Sequence, residues 1–172
     1  MQADREIRLG TAPRGKNALE MGSDVEGTHR MNFFRDPVRS RIVLRLVVPD
    51  GPDRPVRADL NYEPTDPYAV RIAFHTGGSD VVEWTFARSL LSDGVTHFVG
   101  DGDVQVWPAD DADSADKGGV CLALSSPTGH ALFKAQPPSI VSFLSRTYEV
   151  VPTGAESGFV DLDGELAALL EG

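Results

Sequence analysis

The feature that most constrains this chain is a pair of alternating runs joined by a turn. Tyr68 to Thr76 places Val70, Ile72 and Phe74 at every second position, and Val81 to Phe86 does the same with Val82, Trp84 and Phe86. Gly77-Gly78-Ser79-Asp80 lies between them. A period of two puts those apolar side chains on one face of a strand, and a glycine pair between two such runs supplies the backbone freedom of a hairpin. The two runs predict antiparallel strands, wet on one side and dry on the other.

The same pattern recurs along the chain. Upstream, Val56, Ala58, Leu60 and Tyr62 alternate with Arg57, Asp59 and Asn61, while Ser40 to Val48 carries Ile42, Leu44, Leu46 and Val48 on one face. Pro49-Asp50-Gly51-Pro52 and Pro64-Thr65-Asp66-Pro67 punctuate these runs as turns. Downstream, Ala87 to Asp93 predicts a short helical turn with Gly94 as its stop. Strands are then expected at Val95–Val99, Val104–Trp107, Gly119–Ser125 and Gly129–Ala135, the last two around Ser126-Pro127-Thr128. From Pro138 to Tyr148 the period changes: Ile140, Phe143, Leu144 and Thr147 sit at helical spacing behind Pro137-Pro138. Pro152 to Gly158 reads as a linker. Asp161 to Leu170 predicts a final amphipathic helix, with Leu162, Leu166, Leu169 and Leu170 in one stripe. About seven or eight strands followed by helices predict an α+β domain of antiparallel β-sheets with C-terminal helices. Residues 1–31 lack any apolar period and are expected to form a flexible N-terminal extension, leaving 32–172 as the domain.

Charge is unevenly placed. The net charge is −10, yet residues 1–88 balance, and residues 89–172 hold three basic side chains against thirteen acidic ones. Nucleic-acid binding draws affinity from Lys and Arg neutralising phosphates, so an acidic half-chain argues against a general DNA or RNA binder. No apolar run approaches the ~20 residues of a membrane span. The N-terminus lacks the apolar core of a secretory signal, and the single cysteine, Cys121, has no partner for an internal disulfide. These features point to the cytoplasm.

The search for reaction chemistry predicts no catalytic, cofactor or metal site. His29, His75, His97 and His130 have no helical i, i+4 pairing and no Cys or Asp at ligand spacing; His75, His97 and His130 read as solvent-facing strand positions. Cys121 lies in an apolar run and reads as a buried side chain. Ser125-Ser126 lacks a Gly-x-Ser-x-Gly elbow, and neither Gly77-Gly78 nor Gly118-Gly119 leads into the helix and lysine of a phosphate loop. Asp101 and Asp103 flank Gly102 as turn residues do, and the acidic run 110–116 lacks the order of a calcium loop; residues 109–119 read as a mobile acidic loop. Trp84 reads as core. Trp107 lies on the opposite face from Val104 and Val106, either as core of a second sheet or as an exposed anchor for another protein. Leu162, Leu166 and Leu169 are core by default and an interface if exposed. Trp107, Leu162, Leu166 and Leu169 are therefore the candidate protein-interface residues.

Four blocks carry a resemblance. They are Asp66-Pro67-Tyr68-Ala69-Val70, Val82-Glu83-Trp84-x-Phe86-Ala87-Arg88-x-Leu90-Leu91, Gly102-Asp103-Val104-x-Val106-Trp107, and Leu124-Ser125-Ser126-Pro127-x-Gly129-x-Ala131-Leu132. In this order, from about residue 40 to the C-terminus, the chain resembles the SsgA-like family of actinobacterial sporulation and cell-division regulators. The resemblance implies a protein without enzymatic activity or cofactor that helps place the septum. The implied partners are the tubulin-like division protein FtsZ and another SsgA-like protein. It also implies a whirly-like fold, a homotrimer, and a cytoplasmic location at the division septum. Because the whirly fold is shared with single-stranded nucleic-acid binders, the alternative reading is a protein of that kind. It predicts a basic groove built from Arg39, Arg41, Arg45, Arg54, Arg57, Arg71 and Arg88.

Overall fold

The computed structural model describes residues 36–109 and 118–160. The expected N-terminal extension, most of the acidic loop, and the final helix with Leu162, Leu166, Leu169 and Leu170 lie outside the described residues.

Seven strands form one antiparallel sheet among the described residues: β1 (Val38–Leu46), β2 (Arg54–Tyr62), β3 (Ala69–His75), β4 (Val81–Ala87), β5 (Val104–Ala109), β6 (Gly119–Ser126) and β7 (Gly129–Ala135). Two helices, α1 (Arg88–Gly94) and α2 (Pro137–Val150), complete an α+β fold as expected. The spatial order is β4-β3-β2-β1-β7-β6-β5. Two meanders thus meet at β1 and β7, strands far apart in sequence. The β3–β4 hairpin forms as its alternation predicts, with Gly77 and Gly78 at φ of 100° and 81°. Pro127-Thr128 forms the two-residue connection between β6 and β7.

The period-two reading holds for most of the sheet, the exceptions being β4, largely exposed, and β6, buried on both faces from Gly119 to Leu122. Ile42 and Leu44, Ala58, Leu60 and Tyr62, Val70, Ile72 and Phe74, Val106, Leu122 and Leu124, and Phe133 are buried on one face and join one core. The two meanders touch weakly. β1 and β7 are in register only at Arg45–Lys134 and Leu46–Phe133, where every other neighbouring pair runs for five positions or more. A short ladder lets the two halves diverge, and the sheet curls into a half-barrel. Phe74 of β3 therefore stacks on Phe133 of β7 at 4.4 Å between ring centroids, although β2 and β1 lie between their strands.

Helix α2 fills the inside of that curl. Pro137 and Pro138 occupy its first positions, where a proline loses no hydrogen bond and presets the helical φ. Ile140, Phe143, Leu144 and Thr147, the predicted stripe, are all buried. Burying three such apolar side chains contributes roughly 1.5–3 kcal/mol each.

Three local expectations are corrected. Val95–Val99 is not a strand: Thr96 and His97 donate their backbone N–H groups to the Asp93 carbonyl, continuing the turn after α1, and Val99 alone makes a β-bridge, to Val106. Gly94 is not a left-handed helix stop. It is buried, and a Cβ there would run into Val106 Cβ and Cγ1, so it is small because α1 packs directly on β5. Val82, Trp84 and Phe86 share a face but not its burial: Phe86 is buried, Trp84 half-buried and Val82 exposed. β4 is an edge strand, and its far end overhangs the open side of the curl.

Candidate functional site

Three features of the surface and interior are candidates for function: a buried arginine, an apolar cleft, and a basic sheet face.

Arg88 opens α1 and is 2% exposed. Its Nη1 donates to the carbonyl oxygens of Thr147 and Val151 at 3.2 and 2.8 Å, and its Nη2 donates to Glu156 Oε1 at 2.7 Å. The guanidinium also lies 4.2 Å from the ring centre of Tyr148 and 5.0 Å from that of Tyr62. The carbonyls of a helix's last turn have no partner inside the helix, and a cation there also meets the negative end of its dipole. Arg88 thus ties the end of α2 to the start of α1. Glu156 completes the tie: its carboxylate accepts from the Gly154 N–H at 2.6 Å as well as from Arg88. Backbone N–H donors and Arg88 hold its carboxyl below the usual carboxylate range, against a raising effect of burial. Burial pushes the Tyr62 phenol up to about 12, and its hydroxyl donates to the Pro67 carbonyl. The linker expected at Pro152–Gly158 is therefore pinned by Glu156. Arg88 is also removed from the cations available to a surface groove. The signal for it was local: Arg88 and Leu91 stand three apart on a helix, and Leu91 is core.

The second feature is an apolar cleft of ≈ 280 Å³ where β4 overhangs the opposite meander. Leu46, Phe74, Val82, Trp84, Leu124 and Phe133 give it its apolar walls. It is the inner face of the curl where α2 does not reach.

The third is the outer face of β1–β4. Alternation sends Arg39, Arg41, Val43 and Arg45 of β1 outward, and the registers set Arg57, Asp59 and Asn61 of β2 and Arg71, Ala73 and His75 of β3 beside them. Asp59 sits at the centre. It accepts from Arg41 Nε at 3.1 Å and pairs with His75 Nε2 at 2.8 Å. Those two hydrogen bonds, His75 first, hold its carboxyl below the ordinary value.

The remaining residues of chemical interest are dispersed. His97 Nδ1 lies 3.0 Å from the Thr96 hydroxyl, and His130 Nδ1 lies 3.0 Å from Ser125 across the β6–β7 hairpin. Cys121 is buried. No three His, Cys, Asp or Glu side chains come together as a metal site among the described residues. His29 lies outside them. Trp107 does point away from Val106, onto the outer face, and is half-buried against the exposed Phe98 at 5.7 Å between ring centres. Leu162, Leu166 and Leu169 lie outside the described residues.

The family model for "Streptomyces sporulation and cell division protein, SsgA" matches residues 56–156. The sporulation-specific cell division protein SsgB of Frankia casuarinae is 56% identical over 144 residues, covering 83% of this chain and 97% of that protein. SsgB of Streptomyces coelicolor is 48% identical over 133 residues, covering 77% and 95%. Among solved structures, one described as "Mutations in SsgB correlate to longitudinal cell division during sporulation of Streptomyces coelicolor" superimposes with a TM-score of 0.68 at 47% identity, covering 72% of this chain and 95% of that one. The crystal structure of an SsgA-like sporulation-specific cell division protein from Thermobifida fusca does so with a TM-score of 0.68 at 45% identity, covering 77% and 95%. The four sequence blocks, the half-barrel and these matches agree: the chain belongs to the SsgA family of sporulation and cell division proteins.

Proposed function

We propose that this chain is a non-catalytic regulator of sporulation-specific cell division, an SsgB-type protein that positions the division machinery by binding other proteins. The observation that carries the reading is identity: 56% over 97% of a relative named for sporulation-specific cell division. The structure supports a binding role in a specific way. Its buried ion pair, Arg88 with Glu156, holds two helices in place. Its surface carries a broad polar sheet face and opens into an apolar cleft. Rigid surfaces of this kind recognise other polypeptides. FtsZ and a second SsgA-like protein are the partners we propose, at the cytoplasmic side of the nascent septum. A homotrimer is the proposed assembly. No helix among the described residues is long and apolar enough to cross a membrane.

The test is genetic. The gene is introduced into a sporulating actinobacterium lacking its own SsgB, and sporulation septa and FtsZ ladders are counted by fluorescence microscopy. Restored, regularly spaced septa with a fluorescent fusion at the FtsZ rings are expected. A chain that accumulates but leaves hyphae undivided would sink the reading. Light scattering of the eluted protein is expected to give three times the 18.5 kDa chain mass.

A further inference from the structure

We infer that the outer face of β1–β3 is a docking surface for a short, extended, acidic segment of a partner protein, with apolar side chains interspersed among its carboxylates. This inference rests on the binding role proposed above and names the surface and the partner's chemistry.

The face is an ordered array. One row across the strands reads Arg39, Asn61, Arg71; the next reads Arg41, Asp59, Ala73; the third reads Val43, Arg57, His75. Arg39 and Arg41 keep 72% and 79% of their side chains exposed. Of the acids on this face, Asp59 is engaged by Arg41 and His75 and Glu63 by Arg39 at 3.9 Å, while Glu83 lines the β4 side without an ion pair among the described residues. Among the described residues Arg57 and Arg71 carry no ion pair. In a chain of net charge −10, this face thus presents two guanidinium groups, Arg57 and Arg71, that no acid among the described residues pairs.

Shape agrees with charge. Between the arginines runs a trough of ≈ 580 Å³, floored by Ala73 and bounded by Arg39, Arg41, His75 and Val81. It adjoins a hollow of ≈ 490 Å³ lined by Arg41, Arg57 and His75. Along β1, outward side chains repeat every ~6.8 Å, the same spacing at which an extended peptide presents alternate side chains. Carboxylates can take bidentate bonds from Arg forks. Val43 and Val81, 58% and 46% exposed, flank the row and offer apolar contact between the charges.

The same chemistry disfavours a single nucleic-acid strand. Among the described residues the array has no Phe, Tyr or Trp ring on which bases could stack, and its one imidazole, His75, is held by Asp59; Trp107, with Phe98 against it, lies beyond β7 and β6. Asp59 and Glu83 also stand among the arginines, where a continuous phosphate backbone would meet them. A peptide can place neutral residues at those points.

The experiment uses the full chain and three fluorescein-labelled probes in an anisotropy titration. They are a dozen-residue peptide alternating Asp or Glu with Ala or Val, its counterpart with Lys at every acid, and a dozen-nucleotide oligothymidine. The acidic peptide is expected to bind, to weaken as salt is raised, and to lose about tenfold or more in affinity with Arg57→Glu or Arg71→Glu. Arg54→Glu, which changes net charge equally but lies off the array, is expected to leave binding within about twofold. Thermal melts confirm that each variant is folded. Failure of the acidic peptide to bind, equal binding of the Lys peptide, or preference for oligothymidine overturns the inference. The regulator role is read separately, in the SsgB-deficient host. If the wild-type chain restores septa and Arg57→Glu/Arg71→Glu restores them as well, the docking surface is wrong while the role stands.

Discussion

Arg88 spends its charge inside the protein. It is 2% exposed, and its donors are shared among two helix-end carbonyls and a carboxylate while Tyr62 and Tyr148 cover its faces. Desolvating a guanidinium is costly unless every bond is made, so removing it exposes that cost on its partners. Arg88→Ala is expected to destabilise the fold by about 3 kcal/mol or more, measured by urea unfolding. Arg88→Lys keeps the charge but lacks the planar fork, and is expected to recover only part of the loss. Glu156 gives this tie a pH signature. Its folded-state carboxyl is held below the ordinary value, so the unfolded chain binds the proton more tightly. The contribution is then full above the ordinary carboxylate range and is lost as pH falls through the lowered folded value. Wild type and Glu156→Gln should differ in unfolding free energy at about pH 7, and the gap should close toward about pH 3. A gap that stays constant across that range would remove Glu156 from the tie.

Elements were legible in the sequence to the degree that their residues alternate. β2 and β3 are half wet and half dry, and their inward sets, Ala58-Leu60-Tyr62 and Val70-Ile72-Phe74, are the ones that alternation names. α2 was equally readable from Ile140, Phe143, Leu144 and Thr147. Val95–Val99 was misread because Val95 and Val99 are apolar for a tertiary reason. Val95 packs against the core from a turn and Val99 from an isolated bridge, neither from a strand. Gly94 was misread in the same way, since a glycine after a short helix looks like a stop, and only the approach of β5 shows why a side chain is excluded. Gly94→Ala is therefore expected to push α1 away from Val106 and cost about 1–3 kcal/mol, the range for overpacking. A calorimetric melting temperature unchanged by that substitution would mean that α1 and β5 are not packed as described. The candidate site was less legible than the fold. Alternation places Arg41, Arg57 and Asp59 on wet faces, but which of them become neighbours depends on strand register, which no single run of residues encodes. Arg88 escaped for the opposite reason, because an arginine reads as surface until its buried partners are known.

At the scale of the whole molecule, the fold depends on two meanders being drawn together across a junction that is weak in backbone terms. β1 and β7 share little ladder, so side chains must hold the curl. Besides α2, one contact that bridges it is the Phe74–Phe133 stack, whose rings come from strands separated by two others. The curvature creates the apolar cleft on the inner side and leaves the arginine array on the outer side of the same strands. Curl and surface are thus linked: flattening the sheet would re-space both. A double-mutant cycle isolates the link. Phe74→Ala and Phe133→Ala each open a core cavity and are expected to cost about 3–5 kcal/mol. If the rings touch only each other's cavity walls by accident of packing, the two losses add. If the stack closes the half-barrel, the double variant should lose about 1 kcal/mol less than the sum, the coupling typical of an aromatic pair. Leu variants at both positions guard against outright unfolding, because they keep apolar volume while abolishing the ring–ring geometry. Additivity in both sets would place the force that curls the sheet in α2 alone, and Ile140→Ala should then open the cleft while the Phe variants leave it closed.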